Sequence, residues 1–216
     1  MKIRSHSFEH GKPIPPEFAM GARASADGFG GNRNPHLGWD EVPAGTLSFA
    51  LLCIDTDAPT DGELVADGDT SIPVDHPRGD FVHWVVADLP ADLREIPAGS
   101  CSDGVTRGGK GIGRDAGGVR GRNDYTAWFA GNAGMGGDYF GYDGPYPPAH
   151  DLRVHRYFFR LFALDVAELG LPPACSAGDV FRAMHGHVLA EASTYGTYTL
   201  NSANRGTDGE TVGLFA

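Results

Sequence analysis

Three residue classes are scarce in this chain, and each shortage closes off a kind of protein. Only three of its 216 residues are cysteine, at positions 53, 101 and 175. An odd count without metal-type spacing argues against a disulfide framework and for three reduced, structural or incidental thiols of a cytosolic protein. Long apolar runs are missing too, and none approaches the roughly 20 residues that span a bilayer. The basic start, Met1 to Ser7, has no apolar segment behind it, so no secretory signal is read there. Basic residues are outnumbered, with 17 Lys and Arg against 28 Asp and Glu and a formal net charge of −11. That balance excludes a duplex nucleic-acid partner, which requires a basic face, and simple electrostatic adhesion to anionic lipid. It does not exclude an anion held in a cleft, because charges beyond about 8–10 Å are screened. No internal repeat or linker divides the chain, so residues 1–216 read as one domain.

Several strands and one late helix can be placed from the pattern. Ile3 to Phe8 alternates weakly and reads as an edge strand, and Gly11 to Trp39 is turn-rich loop. Thr46 to Ile54 is an apolar run of strand length that ends at Asp55. Phe81 to Leu89 is a second strand, with Phe81, His83, Val85 and Ala87 expected on one face. The segment between them, Thr60 to Asp80, reads as a surface loop. Gly104 to Asn123 reads as a long, mobile loop without periodicity. Tyr157 to Leu164 carries aromatic residues on both faces, as a central strand covered on both sides would. Ser176 to Asp179 fits a capping-box start, and the helix that follows is expected to bury Val180, Phe181, Met184, Val188 and Ala192. Thr194 to Leu200 is read as the last strand. The fold class is therefore mainly β.

Three separated segments bring chemistry to the ends of these strands. Asp55 and Asp57, two residues apart on an extended chain, can face one cavity. His83 and His155 supply imidazoles that titrate near ~6.5, and a carboxylate neighbour favours their cationic, anion-binding form. Tyr157 supplies a phenol, and Gly144-Pro145 precedes Pro147-Pro148 in a stiff loop. Arg156 alternates away from His155 and Tyr157, so it is expected in a structural ion pair. Cys53 shares a strand face with Asp55 and is expected to be buried.

Other chemistries fit less well. Zinc or iron could use two histidines and two carboxylates, but the spacing is wrong, and His185 and His187 point about 200° apart on a helix. No metal and no cofactor is expected. Gly104 to Lys110 fits G-x-x-x-x-G-K but is followed by Gly111, and Gly111 to Ala116 mimics a dinucleotide fingerprint without strand or helix around it. No G-x-S-x-G elbow is present.

The acidic segment Asp55 to Pro59, the His83-Trp84 pair, and Gly144-Pro145 with Pro147-Pro148 and His155-Arg156-Tyr157 resemble the phosphatidylethanolamine-binding protein family, in its bacterial Raf-kinase-inhibitor-like branch. Asn34-Pro35, Leu37, Trp39, Pro43 and Gly45-Thr46 resemble its lead-in to the first core strand. Gly186 to Ala190 and Gly196-Thr197-Tyr198 resemble its closing helix and strand. The likeness runs from about Ile3 to Asn201. Thr56 stands where the family usually has proline, and Tyr146 where it has a small residue.

The resemblance implies a Greek-key-like antiparallel core with a C-terminal helix. It also implies non-catalytic binding of a small anion such as phosphate or a phosphoethanolamine-type head group. His83 and His155 would then donate to a phosphate oxygen and Tyr157 would add its phenol. Asp55 would line the pocket and Asp57 orient from behind. Gly144-Pro145 would form a wall and offer the glycine N–H. Modulation of unidentified partner proteins and a homodimer fit the same resemblance. The rival reading is a hydrolase that uses the same histidine, acid and tyrosine on a phosphoester or acyl ester.

Overall fold

The computed structural model describes residues 1–206. The last ten residues of the domain expected over 1–216 lie outside them. The chain begins with strand β1 (Lys2–Arg4), then runs through loop and one 3-10 turn (Pro16–Phe18) to β2 (Leu37–Asp40). Two long strands follow, β3 (Ser48–Pro59) and β4 (Arg78–Pro90), joined across a short helix α1 (Gly62–Asp67). Short strands β5 (Glu95–Ile96), β6 (Arg114–Asp115) and β7 (Gly118–Arg120) precede a one-turn helix α2 (Tyr125–Trp128). The last third contains β8 (His155–Leu164), helix α3 (Ala177–Ala183) and β9 (Val188–Tyr198). The fold is mainly β, as expected.

The strands form two antiparallel sheets. One is small, in the order β1-β2-β5, and the other has six strands in the order β6-β7-β4-β3-β8-β9. The chain leaves the large sheet after β7 and returns to lay β8 on the far side of β3, which is the Greek-key-like feature of the core. β8 lies between β3 and β9, and its aromatic residues on both faces follow from the two cores packed on opposite sides of the sheet. Tyr157, Phe159, Leu161 and Ala163 join Phe49, Leu51 and Cys53 in a core that the small sheet covers with Leu37, Trp39 and Ile96. Phe162 and Leu164 join Ala50, Leu52 and Ile54 against Val180 and Met184 of α3. Among the described residues, no helix is long and apolar enough to cross a membrane.

Four local expectations need correction. Phe81, His83, Val85 and Ala87 do not share a face. Cys53 pairs with Trp84 and Ile54 with Val82, so His83 is the extra residue of a β-bulge. The bulge breaks the alternation: Val85 and Ala87 enter the α3-side core, while Phe81 and His83 turn toward the opposite side. The late helix is shorter than its periodicity suggested. Its capping box is present, with Ser176 Oγ accepting from the Asp179 N–H and the Asp179 carboxylate accepting from the Ser176 N–H. It stops at Ala183, however, and Gly186 at φ +86° turns the chain so that Val188 and Ala192 belong to β9. The 60–80 loop contains α1, whose start is capped by Asp61, and its end is already β4. The glycine-rich 104–123 segment is no featureless loop either. It supplies β6 and β7 to the edge of the large sheet, fastened by the buried Asp115, which accepts from Trp84 Nε1 at 3.0 Å and from Arg120 at 2.7 Å.

Candidate ligand-binding site

The pocket forms where three neighbouring strands end. In the register of the large sheet, Asp55 of β3 stands opposite Phe81 of β4 on one side and Tyr157 of β8 on the other. His155, two residues before Tyr157, and His83, at the bulge, extend the same corner. These residues line a pocket of about 100 Å³ with Ala58, Pro59, Val65, Tyr125, Trp128, Tyr146, Pro147 and Pro148. The polar residues Asp55, His83, His155 and Tyr157 are buried at its floor, while Trp128 and Tyr146 are partly exposed at its rim. Of the residues expected at the site, the structure brings these four together.

The other three lie close but outside the lining. The Asp57 carboxylate is fully buried and is held by Arg156 Nε at 2.8 Å, Arg156 Nη2 at 2.9 Å and Arg153 Nε at 2.9 Å. Burial opposes its charge, but the hydrogen bonds and charge of Arg156 outweigh it and lower its pKa. Arg156 is thus in the structural ion pair expected of it, and Asp57 faces that pair because the strand register shifts between Asp55 and Ala58. The Gly144 N–H was expected to point at a ligand, but it donates to Asn32 Oδ1 at 2.8 Å. The Gly144 carbonyl accepts from the Tyr125 hydroxyl at 2.8 Å. Both groups are already engaged because the 143–145 loop packs tightly on the 18–20 backbone, where Met20 N and Gly21 N donate to the Pro145 carbonyl. The wall is instead built by the three residues that follow, Tyr146 to Pro148. Tyr146 therefore lines the pocket itself, at its rim.

His155 is held differently from the expectation. Its Nδ1 lies 2.7 Å from Asp55 Oδ2 and its Nε2 lies 3.0 Å from Asp151 Oδ2. Burial alone would depress its pKa, but the bonds to Asp151 and then Asp55 raise it to about 9. The ring is a cation with both N–H groups donated to carboxylates, so it has no N–H to offer a phosphate oxygen. Asp151 is completed by a bidentate contact from Arg78, and its pKa falls to about 2 despite burial, through His155 first and Arg78 next. A four-membered chain of alternating charge, Asp55–His155–Asp151–Arg78, therefore underlies the pocket.

His83 is the opposite case. Its Nδ1 lies 2.8 Å from the carbonyl oxygen of Asp143. A carbonyl only accepts, so Nδ1 carries the proton, and Nε2 has no protein partner among the described residues. The expectation that a nearby carboxylate would raise its pKa does not hold. Burial is the largest influence and lowers it, outweighing the pull of Asp55 and the bond to Asp143. The rings of Phe81, Tyr125 and Tyr157 surround the imidazole at centroid distances of 5.0, 5.3 and 5.1 Å. Tyr157 is fully buried, and its hydroxyl lacks a partner at ordinary hydrogen-bonding geometry. Burial, then the charge of Asp55, push its pKa well above 10, so the group is a neutral phenol.

Several supporting residues escaped the sequence reading. Asp143 is fully buried and accepts from Lys110 Nζ at 2.7 Å, Asn32 Nδ2 at 2.8 Å and Asn123 Nδ2 at 2.9 Å, which fixes the carbonyl that holds His83. Lys110 belongs to the segment dismissed as a phosphate-loop mimic, and its role is this anchor. Asp151 lies four residues before His155 in an irregular loop, where no periodicity marks it.

Comparison with known proteins follows from this geometry. The sequence profile of the family described as phosphatidylethanolamine-binding protein matches residues 4–199. The chain is 34% identical over 203 residues to a UPF0098 protein of Aquifex aeolicus, covering 92% of this chain and 88% of the relative. It is 32% identical over 194 residues to the Escherichia coli UPF0098 protein YbhB, covering 89% and 96%. Among solved structures it is similar to E. coli YbcL, described as a new member of the mammalian PEBP family, with a TM-score of 0.66, 25% identity and coverage of 92% and 97%. It is also similar to CT736 of Chlamydia trachomatis, a putative homologue of the same family, with a TM-score of 0.60, 25% identity and coverage of 91% and 95%.

Proposed function

Given that this chain belongs to the phosphatidylethanolamine-binding protein family, we propose that it binds a small phosphorylated ligand, phosphate or a phosphoethanolamine-type head group, without transforming it. One observation carries the reading: a buried phenol hydroxyl, on Tyr157, that makes no hydrogen bond of ordinary geometry, in the same pocket as the uncommitted Nε2 of His83. A buried polar group left unpaired costs roughly 1–3 kcal/mol, and a ligand that bonds to it recovers that cost. The pocket volume suits a head group and not an acyl chain, since it falls well below the ~300–1,000 Å³ of drug-sized sites. The faces of Phe81, Tyr125, Trp128 and Tyr146 beside the Asp55 carboxylate suit an ammonium group at the other end of such a ligand.

Two features weigh against a hydrolytic use of the same residues. His155 has no nitrogen free to take or give a proton, and Cys53 is fully buried with its thiol pKa pushed well above its ordinary value by burial. The site would act through occupancy. The test is a titration of phosphate and phosphoethanolamine followed through the imidazole signals of His83 and His155. Saturable movement of His83, with smaller movement of His155 and both saturating at roughly tenfold higher ligand in Tyr157→Phe, is the expected result. No movement at either ring refutes the proposal, and turnover of an aryl phosphate that disappears in His83→Ala replaces it with catalysis.

A further inference from the structure

Resting on the pocket reading above, we infer that the site selects by protons: it takes tetrahedral oxyanions that bring a hydrogen-bond donor of their own and rejects those, such as sulfate, that bring none. The inference comes from an inventory of the buried polar atoms on the floor. The His83 ring donates through Nδ1 to the Asp143 carbonyl, so the neutral imidazole presents only the lone pair of Nε2. Nothing beside that ring holds it cationic. Its close neighbours are the uncharged rings of Phe81, Tyr125 and Tyr157, and the carboxylates of Asp55, Asp124 and Asp143 act on it without a side-chain contact. Asp55 accepts from the Asp57 N–H at 2.8 Å through Oδ1 and from His155 through Oδ2, so what it presents to the pocket is further lone pairs. Both N–H groups of His155 are already donated, to Asp55 and Asp151. The Gly144 N–H is donated to Asn32. Among the described residues one donor remains on the floor, the hydroxyl of Tyr157, which approaches Asp55 without a hydrogen bond of ordinary geometry.

A fully deprotonated oxyanion can satisfy that one donor, but its remaining oxygens then face a carboxylate and an imidazole lone pair. The result is repulsion with no compensating bond. A P–OH group converts one of these clashes into a hydrogen bond. The ammonium of a phosphoethanolamine-type ligand does the same next to Asp55. Sites built to bond a ligand's OH or NH reject analogues that lack it by large factors, because the buried partners are left unpaired.

The experiment compares oxyanions of one shape at about pH 8, where an unperturbed imidazole is already neutral. Inorganic phosphate keeps a P–OH there, whereas sulfate and methyl phosphate carry no proton. Phosphoethanolamine carries its ammonium. Calorimetric titration of the full chain is expected to show phosphate, phosphoethanolamine or both binding at least about 100-fold more tightly than sulfate and methyl phosphate. Tight phosphate assigns the donor to P–OH and the source to free phosphate. Tight phosphoethanolamine with weak phosphate assigns it to the ammonium and the source to a head group. Sulfate and methyl phosphate binding as well as phosphate would overturn the inference while leaving the anion site standing. No binding of any of the four would overturn the inference together with the function proposed above. His83→Gln can place an amide N–H near the former lone pair, and it is expected to raise sulfate relative to phosphate by roughly tenfold, the worth of one hydrogen bond. An unchanged ratio would remove His83 from the mechanism. The wild-type comparison does not depend on this variant folding.

Discussion

Asp55 and Tyr157 stand directly opposite each other in the β3–β8 register, yet the carboxylate is bonded to His155 and to the Asp57 N–H, while the phenol only approaches Asp55 and makes no hydrogen bond of ordinary geometry. Buried phenols normally find an acceptor. The pair is therefore the natural place to probe what the fold reserves for a ligand.

Replacing the phenol separates stability from binding. Tyr157→Phe removes a hydroxyl whose protein contact is a loose approach to Asp55, so denaturant unfolding should show stability changed by no more than about 1 kcal/mol. Phosphate affinity should fall roughly tenfold. A loss of several kcal/mol of stability would show that the hydroxyl is structurally engaged.

The acid beneath His155 should matter as much as the one in the pocket. Asp151→Asn leaves the shape but removes the charge between His155 and Arg78, and breaking a buried ion pair in this way costs about 3–5 kcal/mol. The His155 pKa, raised to about 9 in the native protein, should fall, because only Asp55 is then left to oppose the burial that depresses it. An NMR pH titration checks it, and an unmoved His155 would sink the four-membered charge chain.

Stability should fall at both ends of the pH scale. The folded pKa of His155 is raised from 6.5 to about 9, so its contribution is fully present below 6.5 and is lost as pH rises through 9. Asp151 is lowered from 3.8 to about 2, so its contribution is present above 3.8 and is lost as pH falls toward 2. His83 adds a loss as pH falls below 6.5, because burial makes its folded form resist protonation. Thermal unfolding midpoints across the pH range should show the alkaline loss disappear in His155→Gln, measured against that variant's own plateau.

A methyl group in the 143–145 loop should be poorly tolerated. A Cβ on Gly144 would lie 2.3 Å from the Phe18 carbonyl oxygen and 3.0 Å from the Met20 nitrogen, both backbone atoms that cannot rotate away. Gly144→Ala should destabilise by about 1–3 kcal/mol or more. It should also weaken the Asn32 and Tyr125 bonds to this loop, visible as a shift of the His83 ring signals.

The legible parts of the molecule were those encoded by apolar run length and alternation. β3 and β8 could be drawn from their residues, and with them the positions of Asp55, His155 and Tyr157 at strand ends. Arg156 could be assigned to an ion pair because one-residue alternation decides it. Hydrogen-bond allocation was not legible, since the partner of His155 Nε2 sits in an irregular loop and the carbonyl that fixes His83 belongs to a backbone turn. The expectation that both imidazoles would be cationic donors failed for two different physical reasons: His155 is cationic but fully engaged, and His83 is kept neutral by burial. β6 and β7 were missed because glycine-rich sequence lacks periodicity, and the end of α3 because Val188 and Ala192 satisfy helical and extended spacing alike.

The bulge at His83 has a consequence for comparing this chain with its relatives. Because β4 fits one more residue than β3 between the Trp84 and Val82 pairings, the consecutive residues His83 and Trp84 both lie on the pocket side of the sheet, and the imidazole is an addition to an otherwise regular ladder. Deleting His83 is thus a different experiment from truncating it to alanine. Truncation empties one corner and keeps the bulge, whereas deletion would leave Trp84 and Val82 as consecutive partners of Cys53 and Ile54, a regular ladder that keeps Phe81 on the pocket face. A relative whose alignment carries a gap at this position should be expected to keep the Phe81 wall and to have an unbulged strand with no imidazole at this corner, however well the surrounding motifs agree.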